Sequence, residues 1–524
     1  MEKKLTLEEA LYFGFFILLS IVKGLGFYDG QKVFLLLIIP AFFCALLKIF
    51  LSSYTVRQWI MQIILLLMTL LVYCRSGEKG ILFIMFMILG MKNISVKKVF
   101  YIGLRVWMIC AVILCLVSFT RLEDTIYRVH KKMGLGHIFR WSLGFTHPNI
   151  LHITYLVLCA FIIYELAERY SFKHFLLLML GNAIVFLYSV SFTGFAITVI
   201  LLVGELYVKF RPRFCFVEKA VVSLVLPFCL LISFLLPLPF IMDSTPKLHQ
   251  LNFLLNTRLW LARQYLVPEC ISLFGLKMAE LEQGSLAIDN SYVWGFVNYG
   301  IIPIVLLILA YLILIADYSR KQKTRELIII IAFIAAGYTE PLLFNTSFKN
   351  ITLIFIGELL FRQKEEAEEY SLMPVLRQKM NNLFQKCYDK AAEIWWMRPE
   401  PYQWIKGLWQ SHRKQITAGI GAGMALGILL CAVIYREPEG YVVQRFYTDG
   451  LFESSVYLES EEDPDYEGYR IMNYLDADTP MQIVDGKAVT LETVRYYTGS
   501  LLIGGLAGYL ICVGTILLTD REKQ

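Results

Sequence analysis

Seven polar residues of the sequence stand at the borders of long apolar runs and are of types that bind anions or move protons. Arginine forks bind phosphate oxygens through paired hydrogen bonds, while histidine and carboxylate side chains accept and return protons. Together they predict proton transfer beside a bound anion. The residues are Arg140, His147, Arg258, Arg263, Asp289, Asn290 and Glu340.

Three of the seven are arginines in two long polar segments. Arg258 and Arg263 are five residues apart in a stretch with helix-like spacing, so they point about 140° apart and can flank a ligand. Arg140 precedes Pro148, a residue that suits the first turn of a helix. We expect the arginines to bind a lipid pyrophosphate at the membrane surface. The alternative is that each guanidinium only reaches lipid headgroups.

The other four residues are candidates for acid–base chemistry and substrate binding. Asp289 and Asn290 precede the apolar run that starts at Tyr292, and a carboxylate at this border is our first candidate for a general base. An Asp or Asn there also serves as a helix cap. His147 is the second candidate base, with the alternative that it only starts a helix. Asn290 and Glu340 are assigned to substrate binding, although Glu340 can instead pair with an arginine.

The composition is that of a membrane protein. Of 524 residues, 57% are hydrophobic and 18% are charged, against about a quarter charged in soluble domains, and the mean hydropathy is +0.59. These values exclude a soluble enzyme and a disordered chain. The net charge of +6 is attributed to membrane topology, since no basic stripe suggests a nucleic acid partner. The cysteines form no CxxC pair, and neither a metal nor a cofactor is predicted.

About fourteen apolar runs predict an all-α polytopic membrane protein, because a helix needs about 20 residues to cross the bilayer. The run at 80–91 is short and nearer in length to a re-entrant segment. The predicted spans are 10–28, 31–50, 58–73, 80–91, 99–119, 149–167, 174–188, 195–209, 219–240, 292–316, 327–343, 350–361, 416–435 and 496–518.

The charge of the short connections orients these spans. With a cytoplasmic N-terminus, the short cytoplasmic connections hold fifteen lysines and arginines, and the short external ones hold four. Because cytoplasmic loops collect these residues, both termini are predicted in the cytoplasm. The long segments 120–147, 241–291 and 436–495 are then external, and the candidate residues lie at the outer mouth of the bundle.

The segments around the candidate residues resemble the Wzy-type polysaccharide polymerases, which belong to the O-antigen ligase superfamily. Their order, their position at outer span ends and the long loop before Asp289 carry the resemblance, which covers about residues 140–360. The matching segments are Gly144-Phe145-Thr146-His147-Pro148-Asn149, Asn256 to Arg263, Asp289-Asn290-Ser291-Tyr292 running to Gly300, and Thr339-Glu340-Pro341 with Asn345 and Asn350.

The resemblance implies a GT-C-like fold and an inverting, metal-independent glycosyl transfer at the outer face of a bacterial cell membrane. Donor and acceptor would be oligosaccharide repeat units linked to polyprenyl pyrophosphate, as in capsule or exopolysaccharide synthesis. The arginines would hold the donor pyrophosphate, and an acceptor sugar hydroxyl would attack the anomeric carbon. No cofactor is implied.

The sequence departs from the family pattern at two places. Where ligases have His-Asn, this chain has Asp289-Asn290, so the histidine role would pass to an aspartate or lapse. Where many members have Ser-Arg-Thr-Gly, residues 191–194 read Ser-Phe-Thr-Gly, so one arginine is missing. A ligase that moves finished glycan to a wall acceptor, and a flippase of lipid-linked oligosaccharide, are the alternatives. No internal repeat of the kind that transporters use is present.

The C-terminal part is predicted to form an extension. A polymerase-like domain at 1–361 is followed by a cytoplasmic amphipathic linker at 362–415, whose tryptophan-rich end suggests a helix on the inner leaflet. Residues 416–524 form a two-span hairpin around the acidic external segment 436–495. Small residues repeat every fourth position in both spans, which favours pairing with each other or between protomers. In layout the hairpin resembles the chain-length regulators of polysaccharide export, so such a regulator or a second copy of the chain is a predicted partner.

Overall fold

A computed structural model describes residues 5–118, 126–127, 140–242, 246–255, 257–281, 284, 286–362, 368–392, 407–435, 441–446, 453–458, 482–483 and 487–521. The chain divides into two compact units. The first comprises Met1–Thr125 with Ser142–Leu383, and the second comprises Ile126–Trp141 with Phe384–Gln524.

The first unit is helical, as predicted. Over the described ranges of both units, ten helices are long and apolar enough to cross a membrane, so the chain is a multi-pass membrane protein. The helices of the first unit are α1 Leu7–Gly24, α2 Lys32–Leu51, α3 Val56–Ser76, α4 Gly80–Leu89, α5 Val96–Ser118, α6 Pro148–Leu166, α7 Phe172–Ser189, α8 Phe192–Phe210, α9 Phe216–Phe234, α10 Pro239–Met242, α11 Pro246–Leu254, α12 Arg258–Tyr265, α13 Ser291–Tyr299, α14 Ile301–Arg320, α15 Thr324–Thr339 and α16 Leu353–Phe361. The next helix, α17 Pro374–Ala392, includes the boundary between the units at Leu383.

Four predicted spans coincide with helices that are shorter or more charged than the other ten. Helix α1 carries Glu8, Glu9 and Lys23, and α15 has 16 residues. Helices α4 and α16 have 10 and 9 residues, about 15 Å or half of a hydrocarbon core. Every residue of α4 except Leu82 is buried. Although α4 is too short to cross the bilayer, its ends are not exposed to lipid, because protein surrounds the helix.

The predicted tenth span at 292–316 is wrong as a single helix, because it is broken into α13 and α14 at Gly300. This glycine has φ 82°, a left-handed value that favours glycine. The preceding loop fills the break: Ser272 O accepts from Ile301 N at 2.9 Å, and Leu273 O accepts from Ile302 N at 3.2 Å. A Cβ on Gly300 would collide with this loop. The break thus joins the long loop to the bundle.

The two ends of the first unit differ. We call the end that carries the connections before α6 and α13 the loop end, and the opposite end the basic end. At the basic end, the buried Lys48 donates to Ser52 Oγ at 2.7 Å, to Lys92 O at 2.9 Å and to Glu8 Oε2 at 3.3 Å. Arg325 Nε donates to Glu205 Oε1 at 2.8 Å. Lys48 and Arg325, which belong to the predicted cytoplasmic connections, are thus both paired with carboxylates.

The second unit contains a helix hairpin and two small antiparallel sheets. Strands β1 Ile126–Tyr127 and β2 Arg140–Trp141 pair with each other. Strand β3 Tyr441–Phe446 pairs with β4 Glu453–Leu458 on one side and β5 Gln482–Ile483 on the other. The sequence analysis predicted none of these strands. The helices are α18 Arg413–Ile434 and α19 Lys487–Arg521. Most of the acidic segment and Trp395, Trp396 and Trp404 lie outside the described residues.

The glycine faces of α18 and α19 pack against each other, which confirms one of the two predicted pairings. Gly423 lies against the backbone of Gly504, and Gly427 against that of Ser500. A side chain at any of these positions would separate the helices. Small residues let the two backbones approach, as is usual for helices in lipid.

Gly419→Cys tests this hairpin directly. A Cβ at position 419 would lie 2.8 Å from Cys512 Cβ, which is shorter than the about 3.5–4.5 Å of a disulfide. A small separation of the two helices therefore brings the pair into bonding range, and we expect a disulfide with Cys512 within one chain under mild oxidation. The matched control is Gly421→Cys, because a Cβ there has no atom of the described residues within 4 Å. Gel mobility after proteolysis reads out the bond. Predominant disulfide-linked dimers would contradict the hairpin.

Candidate functional site

The long segment before α13 folds over a small apolar core of its own at the loop end. The hydroxyl of the buried Tyr265 donates to Leu286 O at 2.6 Å, which ties the end of α12 to the end of the segment. Thr257, just before α12, has φ 60°, a strained value for a β-branched residue. Arg258 therefore has a fixed position. The buried apolar residues are Ala262, Tyr265, Cys270, Ile288, Val293 and Val297.

Arg258 joins two carboxylates that lie at the ends of different helices, because Asp289 precedes α13 and Glu340 directly follows α15. Its Nη2 lies 3.6 Å from Asp289 Oδ2 and 3.6 Å from Glu340 Oε1. The guanidinium is further fixed by hydrogen bonds from Nε to Thr339 O at 3.0 Å and from Nη1 to Leu255 O at 3.2 Å. We call Asp289, Arg258 and Glu340 the triad. The sequence prediction that Glu340 can pair with an arginine is confirmed.

The members of the triad differ in exposure. The side chains of Arg258 and Glu340 are 8% and 12% exposed, while that of Asp289 is 33% exposed. Asp289 is therefore the member that a substrate can approach from water. Glu340 is the inner carboxylate.

Asn290, not Asp289, caps α13. Its Oδ1 accepts from Tyr292 N at 2.9 Å and from Val293 N at 3.2 Å, and its Nδ2 donates to Ser233 Oγ at 2.8 Å. Asn290 is buried, so these bonds give it a structural part in addition to its predicted contact with substrate. Because Asn290 supplies the cap, the alternative that Asp289 only caps the helix does not apply.

His147 is linked to the triad by hydrogen bonds through Asn149. It caps α6, with Nδ1 accepting from Asn149 N at 3.1 Å. Asn149 in turn donates from Nδ2 to Glu340 Oε1 at 2.8 Å. The histidine is thus connected to the triad through one residue, and it fulfils the helix-start alternative. Whether it also moves a proton stays a prediction.

The remaining predicted site residues are Arg263 and Arg140. Arg263 lies near the end of α12, is half-buried and belongs to the first unit with the triad. Arg140 lies in β2 of the second unit and is buried beside Trp141, which donates to Glu492 Oε1 at 3.1 Å. The predicted joint action of the three arginines stays a prediction.

Two further residues of the site were not assigned from the sequence. Asn149 binds Glu340 as described, and the buried Ser291 donates from Oγ to Glu340 O at 2.6 Å while accepting from Leu343 N at 3.1 Å. Ser291 directly follows Asn290, and Asn149 is two residues after His147, both within the segments of the family resemblance. Their nearness to the candidate residues could have indicated them, but the sequence does not show which neighbouring side chain points toward Glu340.

The charges of the triad define its chemistry. One guanidinium between two carboxylates leaves one negative charge, so the triad suits a proton or a centre that becomes positive. The more exposed carboxylate can accept a proton from a hydroxyl. Among the residues that the structure describes, no group of three His, Cys, Asp or Glu side chains is placed to hold a metal ion. Comparison of the chain with protein-family models, with curated proteins and with solved structures gives no match.

Proposed function

We propose that the chain is a membrane glycosyltransferase that polymerises oligosaccharide repeat units linked to polyprenyl pyrophosphate. The observation that supports this most is the triad, in which Arg258 holds Asp289 and Glu340 at 3.6 Å each. Glycosyl transfer passes through a transition state with positive charge on the sugar ring. The triad, with two carboxylates and one guanidinium, has one net negative charge that stabilises this positive transition state. One of its carboxylates can also remove a proton.

In the proposed reaction, a hydroxyl of the acceptor sugar attacks the anomeric carbon of the donor. The new carbon–oxygen bond forms as the bond from that carbon to the pyrophosphate oxygen breaks, with inversion. Asp289 takes the hydroxyl proton, and polyprenyl pyrophosphate leaves with the electron pair. Arg258 orients Asp289, because its other donors are already bound to backbone carbonyls.

The leaving pyrophosphate is an anion and needs positively charged groups around it. The triad cannot supply them, because its own net charge is negative. We assign this part to Arg263, whose guanidinium fork suits phosphate. A part for Arg140 in pyrophosphate binding stays a prediction. Arg258 contributes mainly by position. His147 and Asn149 hold the start of α6 against Glu340 and so fix the inner carboxylate.

The proposal includes the finer fold and location. About fourteen spans in a GT-C-like arrangement, with both termini in the cytoplasm of a bacterium, place the loop end at the outer face, in line with the positive-inside bias. There the site would meet repeat units that have already crossed the membrane. Residues 416–524 would then serve contact with a chain-length regulator or a second copy.

The lipid-linked glycans of a strain that lacks the chain test this function. We expect single repeat units to accumulate on lipid, and polymer to disappear, because translocation continues without polymerisation. Expression of the intact chain should restore polymer. Polymer of normal length in the deletion strain, with unattached polymer replacing the wall-bound form, would instead assign the ligase alternative.

One structural observation favours the transporter alternative. Helices α13 and α14 are discontinuous at Gly300 beside the site, and discontinuous helices are common at the binding sites of transporters. A flippase predicts repeat units trapped at the cytoplasmic face in the deletion strain. A polymerase predicts them at the outer face, so their accessibility to an external glycosidase distinguishes the two functions.

A further inference from the structure

A second positively charged site lies in the first unit, on the connection that also carries Glu340. Lys349, nine residues after Glu340, is 5% exposed, and its ammonium lies 5.4 Å from the ring centre of Trp107 in α5. Among the described residues its Nζ meets no carboxylate and donates no hydrogen bond. An ammonium buried in this way is unfavourable unless an anion accompanies it.

The groups around Lys349 are also donors. Trp107 is buried, and its Nε1 has no acceptor among the described residues. Lys23, in the last turn of α1, is half-buried over the rings of Phe34 and Phe83 and forms no ion pair within the described part of the chain. Burial and the charge of Lys23 lower the pKa of Lys349 to about 8. The positive charge of Lys23 thus acts on Lys349.

A close contact between α1 and α5 places Gly24, the neighbour of Lys23 in the chain, against Trp107. A Cβ on Gly24 would lie 2.9 Å from Cys110 Cβ and 3.8 Å from Trp107 Cε3, so the glycine lets the end of α1 reach the tryptophan. Gly26 then faces Thr146, next to His147, with a Cβ distance of 3.5 Å to its methyl group. The end of α1 thus borders the segment that starts α6.

Neither Asp29 nor Glu78 forms an ion pair with Lys23 within the described part of the chain. Asp29 pairs with Lys79, and Glu78 Oε1 accepts from Gly80 N at 3.1 Å. Both act on Lys23 only through longer-range attraction. Two ammonium groups and an indole N–H consequently remain as donors without a bound acceptor among the described residues. A phosphate oxyanion supplies acceptors for all three.

We infer that Lys23, Lys349 and Trp107 form an anion site that binds the pyrophosphate of the acceptor substrate. The identity of the ligand rests on the proposed function, because a polymerase must hold two lipid pyrophosphates at once: the one that leaves the donor and the one that stays on the acceptor. The existence of a second anion site does not depend on it.

Pyrophosphate binding to the purified full-length chain in detergent tests the site. By isothermal titration with inorganic pyrophosphate we expect two sites in the wild type and one in Lys349→Met, with at least a tenfold loss of affinity at the lost site. Lys23→Met should show the same loss. The control is Lys277→Met, which removes an exposed lysine paired with Glu280 and should retain both sites.

Two further measurements test whether the variants fold and which anion the site prefers. Methionine removes a buried charge at similar volume, so the melting temperature of Lys349→Met should not fall below that of the wild type. Polyprenyl pyrophosphate should compete with pyrophosphate at the lysine site, and phosphatidylglycerol at equal concentration should not. Unchanged binding in both lysine variants, or equal competition by phosphatidylglycerol, would overturn the inference. Failure of polymerisation with the lysine site intact would refute only the proposed function.

Discussion

Asp289→Asn is expected to lower the rate of polymerisation about 10²- to 10⁴-fold, the range by which a positioned general base accelerates a reaction. Asparagine has the same shape but cannot take a proton. The cap of α13 is supplied by Asn290, so the substitution leaves the helix start intact. Initial rates with purified protein and lipid-linked repeat units give the measurement, and the melting temperature should change little.

Two matched variants make this result specific. His147→Asn removes the imidazole but keeps an oxygen that can cap α6, so it should retain most activity if the histidine only starts the helix. Glu280→Gln removes an exposed carboxylate of the same loop and should be neutral. Near-normal rates in Asp289→Asn together with collapse in His147→Asn would make His147 the base.

Arg258→Met is expected to destabilise the protein by about 3–5 kcal/mol, the usual cost of removing one partner from a buried ion pair. Without the guanidinium, Asp289 and Glu340 repel each other, and the carbonyls of Thr339 and Leu255 lose their donor. The melting temperature in detergent should fall clearly. Arg258→Lys should also impair turnover, since a point charge cannot replace the fork.

A double variant separates charge from packing. In Arg258→Met with Glu340→Gln the repulsion between the two carboxylates is gone, so part of the lost stability should return. Lys277→Met, which breaks an exposed pair with Glu280, should cost less than about 1 kcal/mol. A melting temperature of Arg258→Met equal to that of the wild type would show that the triad does not hold the loop end together.

Much of the local structure could be predicted from the sequence, because apolar periodicity and caps act over short distances. The spacing of Arg258 and Arg263 predicted the helix that became α12, and Pro148 correctly predicted the start of α6. The glycine faces of α18 and α19 were visible as a repeat. These features depend on residues within a few turns of each other.

The features that could not be predicted from the sequence depend on contacts between residues that are far apart in the chain. Gly300 breaks a continuous apolar run because a loop 27 to 28 residues earlier in the sequence provides Ser272 O and Leu273 O as acceptors, which hydropathy cannot reveal. The same holds for the triad, since Arg258 and Glu340 are far apart in the chain. The choice of Asn290 over Asp289 as the cap was left open, as both residue types serve equally well.

The central claim is that the chain forms glycosidic bonds between lipid-linked repeat units. Purified protein in liposomes, supplied with repeat units on polyprenyl pyrophosphate at the face that the loop end occupies, tests it most directly. The account predicts a ladder of products that differ by one repeat unit, with one polyprenyl pyrophosphate released for each new bond, and no ladder with Asp289→Asn. Movement of intact substrate across the bilayer without bond formation would contradict it.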